Sequence, residues 1–280
     1  MRRLKRIKNL PFWLLSLAAG LIVLHLNLTW RSDNNNLLSC SLLFWLTISY
    51  LVWEKRDRLN LASDIFSSFC GLFLITLVLV KSTHLFGDDV FLRISPFLSV
   101  LGLGLLASGV KGVKQYWREL LLWGFIAAPW ASIYLVIDLS LLTAKFTTFV
   151  LWLLGFDVSR QGVLVILPTG SIEVYDGCSG LKMILQLLGI ALIFVLIAAD
   201  SWKQKILLLI SAIILGFVVN GVRVALMTIL VALSDQEAFI YWHLGNGSLI
   251  FSLIAVLIFG LIYILLNQSQ NQDNLDWQKQ

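Results

Sequence analysis

Apolar runs separated by short polar breaks recur along the whole chain. Eight are long enough, or nearly so, to cross a hydrocarbon core about 30 Å thick, at about 11–30, 37–53, 62–81, 90–110, 119–142, 181–199, 206–231 and 248–266. The one long connection is 143–180. In it, "FTTFVLWLLGF" (146–156) is apolar but too short to span, so it is expected to lie at the interface or to re-enter. "VLVIL" and "SIEVY" then flank Pro168-Thr169-Gly170, the pattern of a β-hairpin. Open strand edges cannot face lipid, which places the hairpin at or above the membrane surface. The pattern predicts an all-α polytopic membrane protein with about eight transmembrane helices and a small extracytoplasmic β-hairpin before the sixth. With no internal repeat and no long linker, it reads as one integral membrane domain over residues 1–280.

Composition agrees with that reading. The chain is 59% hydrophobic and 13% charged, with a mean hydropathy of +0.87. A soluble domain of this size could not hide so much apolar surface. The formal charge of +5 is no nucleic-acid signature, because the basic residues fall in short clusters between the apolar runs. Fourteen Lys and Arg lie on one side, from Arg2, Arg3, Lys5, Arg6 and Lys8 onward, and six on the other. The positive-inside rule then puts both termini in the cytoplasm of a cell (inner or plasma) membrane. Trp13, Trp30, Trp53, Trp117, Trp202 and Trp242 mark span ends as an aromatic belt. "MRRLKRIK" followed by "PFWLLSLAAG" also has the flavour of a signal peptide, although the apolar run is long for an h-region, and cleavage would not change the remaining orientation. The Asn/Gln-rich end, 267–280, reads as a disordered polar tail.

Three residues carry candidate chemistry. Cys178, in "YDGCSG", lies where a flexible turn enters the sixth span, and a helix N-terminus there lowers a thiol pKa. The same cysteine also reads as a small buried side chain or as a disulfide partner of Cys40; Cys70 falls in mid-span. Arg223 interrupts an apolar run at a cost of at least about 2.5–3.5 kcal/mol and must face a polar interior. Asn220 shares its face at i−3, and Asp138 is a candidate structural partner. His243 lies in the short outer loop before the last span and has the pKa range of a general acid or base. His25 and His84 are isolated singles, and three scattered histidines offer no metal-ligand spacing. Topology puts Cys178, Arg223 and His243 at one face of the membrane, and a thiol, a base and a cation are the parts acyl transfer needs.

"CSG" opening one helix, "NGVR" in the next and a histidine before the following one resemble the exosortase/archaeosortase family, and "IEVYDGCSGLK" is most similar to its cyanobacterial branch. The motifs lie within 170–250. The resemblance implies a membrane cysteine peptidase and transpeptidase of the bacterial cell membrane, with its active site extracytoplasmic. It implies substrate proteins ending in a PEP-CTERM-type sorting signal, which are cleaved through a thioester that an amine, a hydroxyl or water resolves. Residue by residue, Cys178 matches the family's nucleophile, Arg223 its arginine and His243 its histidine. Read as chemistry, Arg223 is expected to stabilise the oxyanion and His243 to act as acid/base, with Asn220, Asp176, Ser179 and Gly180 expected in support and Glu173 nearby. No metal or organic cofactor is expected. The alternative class is a non-enzymatic transporter or an assembly protein for exopolysaccharide export, since an intramembrane Arg beside an Asn also marks a permeation path.

Overall fold

The computed structural model describes residues 12–83, 89–129, 136–199, 201–243, 245 and 247–277. The basic N-terminal cluster and His84 lie outside them. Backbone contacts divide the chain into two compact units, residues 1–128 and 129–280.

The first unit is helical: α1 (Phe12–Arg31), α2 (Asn35–Lys55), α3 (Ile65–Ser82), α4 (Asp89–Gly112) and α5 (Trp117–Ala127). Side chains that satisfy orphan N–H groups set two of the starts: Asn34 accepts from Leu37 N–H, and Asp64 from Ser67 N–H. Buried polar groups here are matched to each other. Lys55 Nζ lies 2.8 Å from both carboxylate oxygens of the fully buried Glu119. The imidazole of His25 bonds Leu92 O at 3.1 Å through Nε2 and accepts from Trp45 Nε1 at 3.0 Å through Nδ1.

The second unit carries α6 (Ser140–Leu153), a sheet of β1 (Ser159–Gln161), β2 (Leu164–Leu167) and β3 (Gly170–Glu173), then α7 (Leu181–Ile197), α8 (Trp202–Ala232), the short α9 (Gln236–His243) and α10 (Gly247–Trp277). The sheet is antiparallel in the order β1-β2-β3, with Leu167 opposite Gly170 and Val165 opposite Ile172. The predicted hairpin is therefore present, with one more strand before it. Val165, Val174, Leu151, Val224 and Met227 form a buried cluster that fixes the sheet on α6 and α8. α7 and α8 run in close contact because Gly216 has no side chain; a Cβ there would lie 2.8 Å from Ile184 Cα.

Among the described residues six helical stretches are long and apolar enough to cross a membrane: Phe12–Arg31, Asn35–Arg58, Ile65–Ser82, Val90–Ala127, Trp202–Ala232 and Gly247–Gln268. The count falls short of the expected eight for two reasons. The predicted fifth span is not a separate crossing helix: its first part, α5, is joined to α4 in the single stretch Val90–Ala127 and ends there, where Ala128 turns extended (ψ 143°) ahead of Pro129, as the residue before a proline prefers. The sixth is α7, at 17 residues just short of a full span. "FTTFVLWLLGF" belongs mostly to α6, which begins at Ser140 under a bond from Ser140 N–H to Asp138 Oδ1. α10 runs on to Trp277, through most of the polar tail, since no Gly or Pro interrupts it after Gly260.

Candidate active site

After β3 the chain makes a 3-10 turn over Asp176–Cys178, closed by Cys178 N–H to Tyr175 O at 2.8 Å. Gly180 follows with φ 92°, the left-handed conformation that glycine adopts without strain, and α7 begins. A Cβ on Gly180 would lie 2.8 Å from Asn220 Nδ2, so the amide of Asn220 occupies that space. It donates to the carbonyl of Cys178 at 2.8 Å. Thr143 of α6 donates to the carbonyl of Ser179 at 2.7 Å, and Ser179 Oγ to that of Asp176 at 2.7 Å. Two helices, α6 and α8, and one bond within the turn thus lock the cysteine turn in place. Gly177 makes room on the other side of the turn. A Cβ there would fall 2.5 Å from Tyr175 Cε2, so its absence lets the tyrosine ring fold back over the turn.

The sulfur is buried, at 4% exposure, and faces the last residue of α9: Cys178 Sγ lies 3.6 Å from His243 Nε2. The Tyr175 hydroxyl lies 3.4 Å from the same nitrogen. The ring of Phe239, one helical turn back, packs tilted against the imidazole at 5.1 Å between centroids. Arg223 reaches from α8 to donate through Nη2 to the carbonyl of His243 at 2.8 Å. Its Nε, buried, has no hydrogen-bond partner among the described residues.

The structure therefore brings Cys178, Arg223, His243 and Asn220 together. Asn220 holds the cysteine turn and makes no bond to Arg223 among the described residues. Asp176 takes part through its backbone oxygen, while its side chain and that of Glu173 are exposed. Asp138 is exposed and accepts from Ser140 N–H at the start of α6, and no ion pair among the described residues joins it to Arg223. Cys178 is in no disulfide, which removes the pairing with Cys40. Tyr175 and Thr143 join the site without having stood out in the sequence. The tyrosine lies three residues before the cysteine, the separation that a 3-10 turn folds back on itself; nothing in spacing marks the threonine. Among the described residues no three His, Cys, Asp or Glu side chains converge as metal donors.

The electrostatics differ from the expectation of a lowered thiol. Burial pushes Cys178 above the ordinary 9.0, and hydrogen bonding by Tyr175 and then the charge of Arg223 only partly offset this. Burial, followed by the nearby guanidinium, holds His243 below the ordinary 6.5. Tyr175 is raised, first by charge on the Cys178 sulfur and then by burial. At neutral pH the resting pair is a thiol beside an uncharged imidazole. The helix N-terminus is not enough to ionise a sulfur so deeply shielded from water.

Residues 30–260 match a protein family described as Transmembrane exosortase (Exosortase_EpsH). The chain is also similar to a probable archaeosortase E of Methanocaldococcus jannaschii, 24% identical over 121 residues; the match covers 42% of this chain and 63% of that relative. Neither match names the cyanobacterial branch. No solved structure matches the chain.

Proposed function

The chain belongs to the transmembrane exosortase family and is a multi-pass membrane protein, and from that premise we propose that it is a cysteine peptidase and transpeptidase that cleaves C-terminal sorting signals of the PEP-CTERM type at the extracytoplasmic face of a bacterial cell membrane. The observation that carries this reading is the contact of Cys178 Sγ with His243 Nε2 at 3.6 Å, with Arg223 bound to the carbonyl of the same histidine.

The neutral resting pair sets the order of steps. As Sγ attacks the scissile carbonyl carbon, the thiol proton passes to His243 Nε2 and the carbonyl π pair moves onto oxygen. The guanidinium of Arg223 faces that developing charge, and the Tyr175 hydroxyl donates to the sulfur while it carries charge. Collapse of the tetrahedral species breaks the C–N bond. The leaving nitrogen takes the proton from His243, and a thioester remains on Cys178. An amine, a hydroxyl or water then attacks the thioester, giving its proton to the imidazole, and the thiol is restored when sulfur leaves. Asn220, Thr143, Ser179 and Gly180 hold the turn that aims the sulfur. The substrate's own transmembrane helix docks by close helix packing, with its basic end on the cytoplasmic side.

Co-expression with a tagged reporter protein ending in a PEP-CTERM tail, followed on a gel, tests this reading. Wild type is expected to remove the tail, and Cys178→Ala to leave it intact, a loss of at least about a thousandfold. Unimpaired processing by Cys178→Ala would overturn the nucleophile. A permeation protein would instead tolerate Cys178→Ser and depend on Arg223 alone.

A further inference from the structure

The parity of the sheet decides which backbone groups of β3 are spent. Val174 N–H bonds Val163 O at 3.0 Å, so residues 163 and 174 form a hydrogen-bonded pair of the antiparallel ladder. Such pairs recur every second residue, which makes Val165–Ile172 and Leu167–Gly170 the other bonded pairs. Ser171 and Glu173 then turn their N–H and C=O groups away from β2. Both residues are exposed, and no hydrogen bond from either backbone is formed to any other part of the chain among the described residues. These are two donors and two acceptors in a row at one edge.

The edge is held firmly and left unguarded. Thr169 Oγ1 donates to Ala232 O at 2.7 Å, and Gly170 sits so tightly on α8 that a Cβ would lie 3.0 Å from Ala232 Cα. The buried face of β3 thus rests on α8, while its outer edge carries one charged side chain, Glu173, and neither the Pro nor the Lys nor the bulge that commonly blocks strand addition. The strand also leads to the chemistry. It ends at Glu173, and only Val174, Tyr175 and the 3-10 turn separate it from Cys178.

We infer that the outer edge of β3 is the substrate-docking strand: the extended peptide that carries the scissile bond adds to the sheet beside Ser171 and Glu173 and is led along it to the Cys178 sulfur. This rests on the proposed peptidase activity and supplies what that reading lacks, a device that grips a peptide backbone. Two peptide residues spaced two apart exchange up to four hydrogen bonds with the edge, and the peptide's alternate side chains are free to be read on either face. Main-chain recognition of this kind suits one enzyme acting on many protein tails, because it demands an extended backbone more than a particular side chain.

Proline at an edge position whose N–H points outward removes one donor and leaves the sheet's own ladder intact. Ser171→Pro and Glu173→Pro are each expected to lower kcat/KM on the PEP-CTERM reporter roughly five- to tenfold through KM, the scale of one lost hydrogen bond plus the bulk of the ring. Arg160 occupies the corresponding outward position on β1, at the far edge, and Arg160→Pro is expected to process as wild type does. The second measurement is hydrogen exchange on Cys178→Ala protein in nanodiscs, with a synthetic PEP-CTERM peptide added: the amides of Ser171 and Glu173 slow and that of Arg160 does not. Wild-type processing by both β3 proline variants, or peptide binding that leaves those two amides exchanging freely, overturns the docking strand. The peptidase reading falls separately, by processing that survives Cys178→Ala.

Discussion

His25 and His243 are the same side chain in two differently furnished settings, one in each compact unit. His25 is 4% exposed. One of its nitrogens donates to the carbonyl of Leu92, the other accepts from the indole of Trp45, and Trp123 packs edge-on at 5.5 Å. Its capacity is used up by the protein itself. His243 stands half-exposed at the end of a short helix, and its Nε2 is shared by a thiol and a phenol at 3.6 and 3.4 Å. The cations divide in the same way. Lys55 is matched by the carboxylate of Glu119, whereas the ion pairs formed among the described residues do not include Arg223. Polarity inside an apolar protein is therefore not in itself a sign of chemistry. The sign is hydrogen-bonding capacity that the fold has left unspent beside a thiol.

Substitution can break that contrast, and the largest effect is expected at His243. His243→Ala should lower turnover of the reporter about a hundred- to ten-thousandfold, the usual range for a lost acid–base group. The pH profile sharpens the point. As the proposed base His243 works only when uncharged, and its pKa is depressed, so activity should persist below pH 6.5 and fall only as pH drops through that lowered value. Alkylation of Cys178 by iodoacetamide, which reads the thiolate, should instead rise only above the ordinary thiol range near 9.0. A labelling curve centred near neutrality would show an ion pair at rest.

Next comes Arg223→Gln, expected to cost about a hundred- to a thousandfold in kcat with little change in reporter binding. Equal loss in binding would make the arginine a docking group. Tyr175→Phe keeps the ring and removes one donor to the sulfur. Turnover should drop roughly ten- to a hundredfold, and the iodoacetamide profile should shift to higher pH; a hydroxyl that merely shapes the loop would leave the profile in place. The smallest effect on activity belongs to the other side of the comparison. Glu119→Ala should lower thermal stability in detergent by about 3–5 kcal/mol, by stranding Lys55, while the protein that remains folded cleaves within about twofold of wild type.

The contrast also explains what can be read from the chain. Long apolar runs and a β-prone pair around Pro168-Thr169-Gly170 are dictated by solvent, so most spans and the hairpin are legible. Hydropathy is blind to a backbone break inside an apolar run, and Pro129 ends α5 within what looks like a single span. β1 escapes because "SRQ" carries no apolar alternation; its place comes from pairing with β2. Cys178, Arg223 and His243 can be grouped because each is costly or reactive in an apolar chain. Thr143 cannot, since a threonine on a helix announces nothing until its hydroxyl meets the carbonyl of Ser179. The protonation state of the thiol is not legible for a physical reason: the helix N-terminus is visible in sequence and the burial that opposes it is not.

That burial has a chemical consequence for the life of the protein. The thiolate attacks peroxides and disulfides, and the protonated thiol does so far more slowly. Cys178 keeps its proton at rest and is almost wholly covered, and no other cysteine belongs to its unit. The sulfur is then a poor target for oxidants at rest, and under the proposed mechanism it becomes a strong nucleophile only in the interval when a substrate carbonyl is in place and His243 can take the proton. For the proposed extracytoplasmic peptidase, this protects the thiol in an oxidising compartment without a reductant to repair it.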